Sequence, residues 1–310
     1  MFKNMSKKKK IILAVIAGII LLIVGIYGSI FLKVFMGGAK VVPEEEVDMS
    51  ASEVQIAEKE QKEDEVINIL LVGVDASSSS DSGRSDTMMM ASYNKTQGKT
   101  TVVSFLRDSL VEIPGHGKSR LGHTYAYGGV GLTINTINKT YDLDIQNYIT
   151  INFENLVDVI DKMGGVKVDI SEEEASYYRR TGVMNVSAGE VTLTGKQALA
   201  HARNRTLGSD FERSRRQRSV MYGVYKKIME EKNPKDVMSL IIYCMDHVKT
   251  NLSATELYDL AMEVLTTENL MLQQAALPQE GMYKAVSYEG MDVLEIDVEA
   301  NKEYLQGLLY

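Results

Sequence analysis

One cysteine, Cys244, stands in 310 residues, so no disulfide can form within the chain and a disulfide-stapled scaffold is excluded. It sits in the apolar run SLIIYCMDHV, which suits a buried small hydrophobe. Histidine is nearly as scarce. His116, His123, His201 and His247 show no paired ligand spacing, which leaves a His/Cys zinc site without support. There is no G-x-x-x-x-G-K-[ST] phosphate loop, no G-x-G-x-x-G fingerprint and no G-x-S-x-G nucleophile elbow. No internal repeat is visible. Hydrophobic residues at 45% and charged ones at 25% are ordinary globular values, and the length leaves room for a sizeable core.

Acidic residues are missing from one region only. Residues 1–33 hold six lysines and no acid, five of the lysines falling within residues 1–10. Ile11 to Leu32 then runs without a charge, and 22 residues at ~1.5 Å each span ~33 Å, enough to cross a bilayer core. Glu44, Glu45 and Glu46 follow soon after. Lysines before the span predict a cytoplasmic tail (1–10), a single transmembrane anchor (11–33) and an extracytoplasmic remainder in the cell membrane. Residues 34–64 are polar and acidic without a clear apolar period, and read as a stalk. Residues 65–310 are expected to form one domain.

Without residues 1–33, 28 basic side chains face 42 acidic ones. Against that acidic body, HARNRTLGSDFERSRRQR (201–218) gathers six arginines. Nucleic acid is not the expected partner, because it would call for a broadly basic face. A compact phosphate or pyrophosphate fits better, since the planar guanidinium grips phosphate oxygens in pairs. A solvated helix face laced with ion pairs, drawing on Asp210 and Glu212, explains the cluster equally well on this stretch alone.

The apolar patterns predict strands at 66–75, within 86–108 as a hairpin or two adjacent strands, and at 147–153, 166–170, 271–278 and 291–298. Helices are predicted at 154–163, 194–203, 212–232, from Pro234, from the capping box Ser253-Ala-Thr-Glu256, and at 300–310. Interleaved strands and helices imply an α/β domain with a central mixed β-sheet covered by helices. The methionines Met88–Met90 read as core rather than as a ligand-binding stripe. Acids and arginines recur at strand ends: Asp75 after the first strand, Arg84 and Asp86 at the second, Arg107 and Asp108 at the third. Strand ends are where α/β sheets bind ligands, and paired carboxylates beside phosphate imply Mg²⁺ or a similar ion.

Four segments occur in order: LLVGVD…RSDTMMM; VSFLRDSLVEIPG…KSRLGHTYAYGG; YITINFENLVDVIDKMGGVKVDI; and LTGKQALAHARNR…DFERSRRQR. Together, over residues 66–230, they resemble the LytR–CpsA–Psr (LCP) family of Gram-positive cell-wall enzymes. The resemblance implies a phosphotransferase that moves a glycopolymer of the teichoic acid or capsular polysaccharide type from undecaprenyl pyrophosphate onto peptidoglycan. It implies Mg²⁺ (or Mn²⁺) at Asp75 and Asp86, and pyrophosphate binding by Arg84, Arg107, Arg203 and Arg205. It further implies a positioning or proton-accepting Asp108, a second half-site of Asp210, Arg213 and Gln217, and added charge from Lys118 or Arg120. It also implies an apolar tunnel between sheet and helices. KSRLGHTYAYGG departs from the family's usual Ile-Asn pair at this place. Arg215, Arg216 and Arg218 cannot all face one ligand, and Arg215 is expected in solvent. A polyprenyl-pyrophosphate hydrolase and a non-catalytic sensor of lipid-linked anions are the alternatives.

Overall fold

The run VINILLVGV forms strand β3 (Val66–Val74), the centre of the protein. Its side chains alternate between two covered faces, which is why the run is apolar almost throughout. Leu70, Val72 and Val74 are buried on one face, while Leu71 and Gly73 border a cavity on the other. The computed structural model describes residues 40–43, 55–58, 65–75, 85–230 and 233–310. The expected tail (1–10), span (11–33), most of the stalk and Arg84 lie outside the described residues. Among the described residues, no helix is long and apolar enough to cross a membrane.

β4 (Ser85–Asn94) pairs antiparallel with β3, and β5 (Lys99–Phe105) antiparallel with β4, the hairpin expected from sequence. Parallel neighbours extend this sheet on both sides: β8 (Asn147–Asn152) beside β3, and β12 (Met271–Leu277) beside β5. The two-residue β11 (Lys249–Thr250) closes the far edge, giving six strands in the order β11-β8-β3-β4-β5-β12. The sheet is mixed, as predicted. A second sheet joins β6 (Ser109–Ile113), β7 (Gly117–Arg120), β13 (Tyr283–Tyr288) and β14 (Met291–Ile296). β9 (Val166–Ile170) and β10 (Gly189–Leu193) form a separate antiparallel pair.

One face of the main sheet is covered by α1 (Thr124–Tyr141), whose Val130, Ile134, Ile137 and Tyr141 pack with Leu70, Val72, Met88, Met90 and Val103. The sequence of α1 is rich in Thr, Asn and Gly, poor helix formers that left it off the predicted map. Here tertiary burial outweighs propensity. Its polar side chains are put to use: Asn138 accepts from Ile145 N at 2.9 Å and donates to Ile145 O at 3.0 Å. On the opposite face lie α2 (Phe153–Lys162), α4 (Gly195–Arg203), α5 (Asp210–Glu230), α6 (Pro234–Met245) and α7 (Ala254–Thr266). α3 (Glu172–Thr181) follows β9, and α8 (Val298–Leu309) buries Leu305 and Leu309 in the main core.

The expected stalk is in part folded onto this body. β1 (Lys40–Pro43) pairs in parallel with β2 (Gln55–Glu58). Within β2, Ile56 is fully buried, Asn135 Oδ1 accepts from Ala57 N at 2.9 Å, and Asn135 Nδ2 donates to Gln55 O at 3.2 Å. Gly131 allows that approach, since a Cβ there would lie 2.5 Å from Gln55 O. A segment of four residues is too short to show its period in sequence.

Candidate active site

Asp75 follows β3 directly, and Asp86 sits on β4, the neighbouring strand. A register shift between Gly73 and Val74 re-aims the strand where the two carboxylates emerge. Arg203, the last residue of α4, lays its guanidinium 4.3 Å from the centroid of Phe153 and 3.5 Å from Asp75 Oδ2. Arg205 follows in the loop, its Nη2 at 3.2 Å from both oxygens of Asp86. Arg107, in the turn after β5, brings Nη1 to 3.0 Å from Asp86 Oδ1. Its Nε lies 3.7 Å from Asp108 Oδ2 and 3.9 Å from Asp210 Oδ1.

The network continues on both sides. Arg120 Nε is 3.5 Å from Asp108 Oδ1, and its Nη2 donates to Asp292 O at 2.6 Å. Arg213 Nη1 meets Asp210 Oδ1 at 2.7 Å, one helical turn along α5. Burial pushes the Asp210 carboxyl above its usual pKa, against the pull of Arg213 and Arg107. Five arginines thus face four aspartates drawn from six segments of chain. Arg107 Nε and Arg120 Nε are buried and make no hydrogen bond, the aspartates facing them at 3.5–3.9 Å. Gln217 stands one turn beyond Arg213 on the cavity wall. Lys118 is exposed on β7 and belongs to no ion pair of this network.

Below the charged mouth lies an apolar cavity of ≈ 630 Å³ between sheet and helices. Asp75, Asp86, Arg203, Arg205, Arg213 and Gln217 line one part of it; Met89, Ile151, Leu199, Val224 and Leu257 line others. The methionines divide by strand alternation: Met88 and Met90 are core, as expected, but Met89 faces the cavity. Cys244 also borders the cavity and is half-buried rather than buried, its thiol pushed up to about 11 by desolvation.

Several supporting residues carried no sequence signal. Arg216, expected to be a ligand or solvated, is 1% exposed and donates to Asn204 O at 2.8 Å and Leu207 O at 2.7 Å. It thereby pins the loop that carries Arg205. Glu174, almost fully buried, lies 3.6 Å from Arg216 and 3.2 Å from Arg215. Arg215 is not simply solvated, since it also reaches Glu212 at 2.8 Å. Arg218 turns inward to Ser104 Oγ at 2.9 Å. His201 is buried between Tyr178 (2.9 Å) and Ser219 (3.3 Å), and burial lowers its pKa to about 4. Of the six arginines of 201–218, three therefore join the cluster and three support it.

Among the described residues, no group of three or more His, Cys, Asp or Glu can hold a metal alone. Two carboxylates suit Mg²⁺ or Mn²⁺ when phosphate oxygens of a ligand complete the shell, so Asp75 and Asp86 fit an ion shared with a diphosphate.

Fold and site define a class: an α/β protein with a cluster of arginines and aspartates at the mouth of an apolar cavity between sheet and helices. The chain belongs to the LytR_cpsA_psr family, whose profile matches residues 33–305. The polyisoprenyl-teichoic acid–peptidoglycan teichoic acid transferase TagU of Enterococcus faecalis is 30% identical over 304 residues, 94% of this chain and 95% of the relative. TagT bound to LIIa-WTA superposes with a TM-score of 0.66 at 26% identity, covering 79% of this chain and 91% of that one. YwtF (TagT) with bound octaprenyl pyrophosphate lipid shares the fold, with a TM-score of 0.61 at 24% identity over the same shares.

Proposed function

We propose that this protein transfers a teichoic acid-type glycopolymer from a polyprenyl diphosphate carrier, undecaprenyl in the cell, to a hydroxyl of peptidoglycan. The observation that carries this reading is the apolar cavity opening onto the arginine and aspartate cluster. The likeness to TagU over nearly the whole chain supports the same donor and acceptor. In this reading the N-terminal span anchors the domain outside the membrane, where carrier and acceptor are both at hand.

Phosphoryl transfer asks a protein mainly for positioning and charge stabilisation. The prenyl tail lies along Met89 and Leu199, and the diphosphate exchanges the carboxylate partners of Arg107, Arg203 and Arg205 for its own oxygens. The acceptor oxygen attacks the phosphorus bearing the glycopolymer, the P–O–P bond breaks, and prenyl phosphate leaves into the arginines. The new bond is a phosphodiester, and the hydroxyl proton passes to a base. Asp108, between Arg107 and Arg120, positions both guanidiniums. Mg²⁺ held by Asp75, Asp86 and the diphosphate would neutralise charge as it builds on the leaving phosphate.

The test is incubation of the full chain in detergent with a prenyl-diphosphate-linked glycopolymer, a peptidoglycan oligomer and Mg²⁺, read by mass. A polymer joined to the oligomer through one phosphate supports transfer. Release of glycopolymer phosphate without joining makes the protein a hydrolase. Tight binding without turnover makes it a sensor.

A further inference from the structure

Tyr127 is 47% exposed, one of the few large apolar side chains in solvent among the described residues. It ends the first turn of α1, and the next two residues leave helical geometry: Gly128 (φ −154°, ψ 27°) and Gly129 (φ 64°, ψ −157°). The ring is therefore carried on a turn broken from the rest of the helix. His116, in the β6–β7 turn, stacks on it at 4.7 Å and 19°. His123 lies 5.9 Å away at 59°, with Ser119 Oγ 2.9 Å from His123 Nδ1. One ring face is thus backed by imidazole while nearly half of the residue stays open to solvent.

The opposite end of the same hairpin is the charged cluster. Arg120 ends β7 and pairs with Asp108, and Gly122 N donates to Arg107 O at 2.8 Å. Gly122 is required there, because a Cβ would lie 2.9 Å from Arg107 Cβ. The four residues of β7 span about 13 Å at ~3.3 Å each, beyond a diphosphate but within reach of an attached oligosaccharide.

We propose that Tyr127, backed by His116 and His123, is a carbohydrate platform that seats a sugar ring of the glycan beside the transferring phosphate. This rests on the transferase reading above. A pyranose presents an axial C–H face that packs on an aromatic ring, and polar edges that need hydrogen-bond partners. Tyrosine offers both a ring and a hydroxyl. The imidazole edges of His116 and His123 supply further polar groups at the rim. A lipid tail would find no comparable enclosure here, since its cavity lies under the sheet's other face.

The probe is chitotetraose, titrated into the full chain in detergent and followed by saturation-transfer NMR, with geranylgeranyl diphosphate binding measured in parallel. Tyr127→Ala is expected to weaken chitotetraose by roughly fivefold or more, and Tyr127→Phe, which keeps the ring and loses the hydroxyl, to weaken it by less than Tyr127→Ala. Geranylgeranyl diphosphate should bind both variants normally. If chitotetraose binds wild type and Tyr127→Ala alike, or binds neither, the platform is wrong while the diphosphate site stands. If geranylgeranyl diphosphate fails to bind the wild type, the transferase reading fails instead. Two further arms locate the sugar. A raised KM for the peptidoglycan oligomer in Tyr127→Ala assigns the platform to the acceptor. Weaker binding of a glycosylated prenyl diphosphate, with the bare lipid unchanged, assigns it to the donor.

Discussion

Arg216→Lys should damage ligand binding without removing any group that meets the ligand. Arg216 is buried, and its two hydrogen bonds reach the carbonyls of Asn204 and Leu207, on either side of Arg205. Both bonds leave one nitrogen, Nη2, whose two hydrogens are fixed in the guanidinium plane; a lysine keeps the charge, but its tetrahedral ammonium on a flexible stem does not hold two donors in that fixed fork. A charge-assisted hydrogen bond is worth about 1.5–3 kcal/mol, and burial leaves no water to replace it. The expected loss is therefore about 2 kcal/mol of stability, or roughly 4–8 °C in Tm for a folded body of this size. Loosening the loop should also raise the Kd for geranylgeranyl diphosphate several-fold, because Arg205 loses its fixed approach to the mouth. Arg218→Lys is the control, since Arg218 is also packed inward but bonds to Ser104 and Ser214 and not to that loop. Urea unfolding followed by circular dichroism gives the stability, and titration well below Tm gives the affinity. Equal loss of affinity in the two variants, or none in Arg216→Lys, would refute the reasoning.

Arg205→Ala should weaken prenyl diphosphate binding about tenfold to a hundredfold, as loss of a charge-assisted phosphate contact does. Arg215→Ala, outside the cluster, should leave that titration unchanged. Asp75→Asn should abolish stimulation of turnover by Mg²⁺; a metal titration indistinguishable from wild type sinks the assignment. Leu199→Trp, which fills the cavity, should weaken long prenyl diphosphates while leaving inorganic pyrophosphate binding as it was, read by calorimetry. His201 is held neutral with its pKa lowered to about 4 from 6.5. The unfolded chain takes up that proton first, so stability is full above about pH 6.5 and falls by up to about 3 kcal/mol towards pH 4. His201→Gln should flatten the urea-unfolding free energy across that window.

The cluster was legible in sequence where function repeated itself: Asp75, Asp86 and Arg107–Asp108 fall at successive strand ends, a pattern that alternation alone exposes. Arg203 and Arg205 were legible from their place at and just past the end of a clear helix. What α5 does with Arg213, Arg215, Arg216 and Arg218 was not legible. Four arginines within two turns look alike until the packing partners are known: Asp210 takes Arg213, Glu174 from another helix faces Arg216, and Ser104 takes Arg218, while Arg215 stays half exposed. Phe153 beneath Arg203 escaped notice because a single aromatic at a strand end reads as core. Helix α1 escaped for the opposite reason, since its Thr, Asn and Gly content hides a buried face. Lys118, singled out through the family resemblance, is exposed and joins no ion pair of the network.

Among the described residues, every arginine in the mouth has a carboxylate opposite it, and in the proposed function this would make the site selective by valence. Partly exposed pairs of this kind are individually weak, so they exchange readily. A ligand entering the mouth must nevertheless displace several carboxylates at once, which one phosphate oxygen or a chloride ion cannot offset. A diphosphate, touching several guanidiniums together, can. In the proposed transfer, breaking the P–O–P bond would leave each fragment with fewer contacts, and the aspartates would reclaim their partners. The acids threaded among the arginines would then act as a built-in competitor, admitting the intact carrier and expelling the spent one.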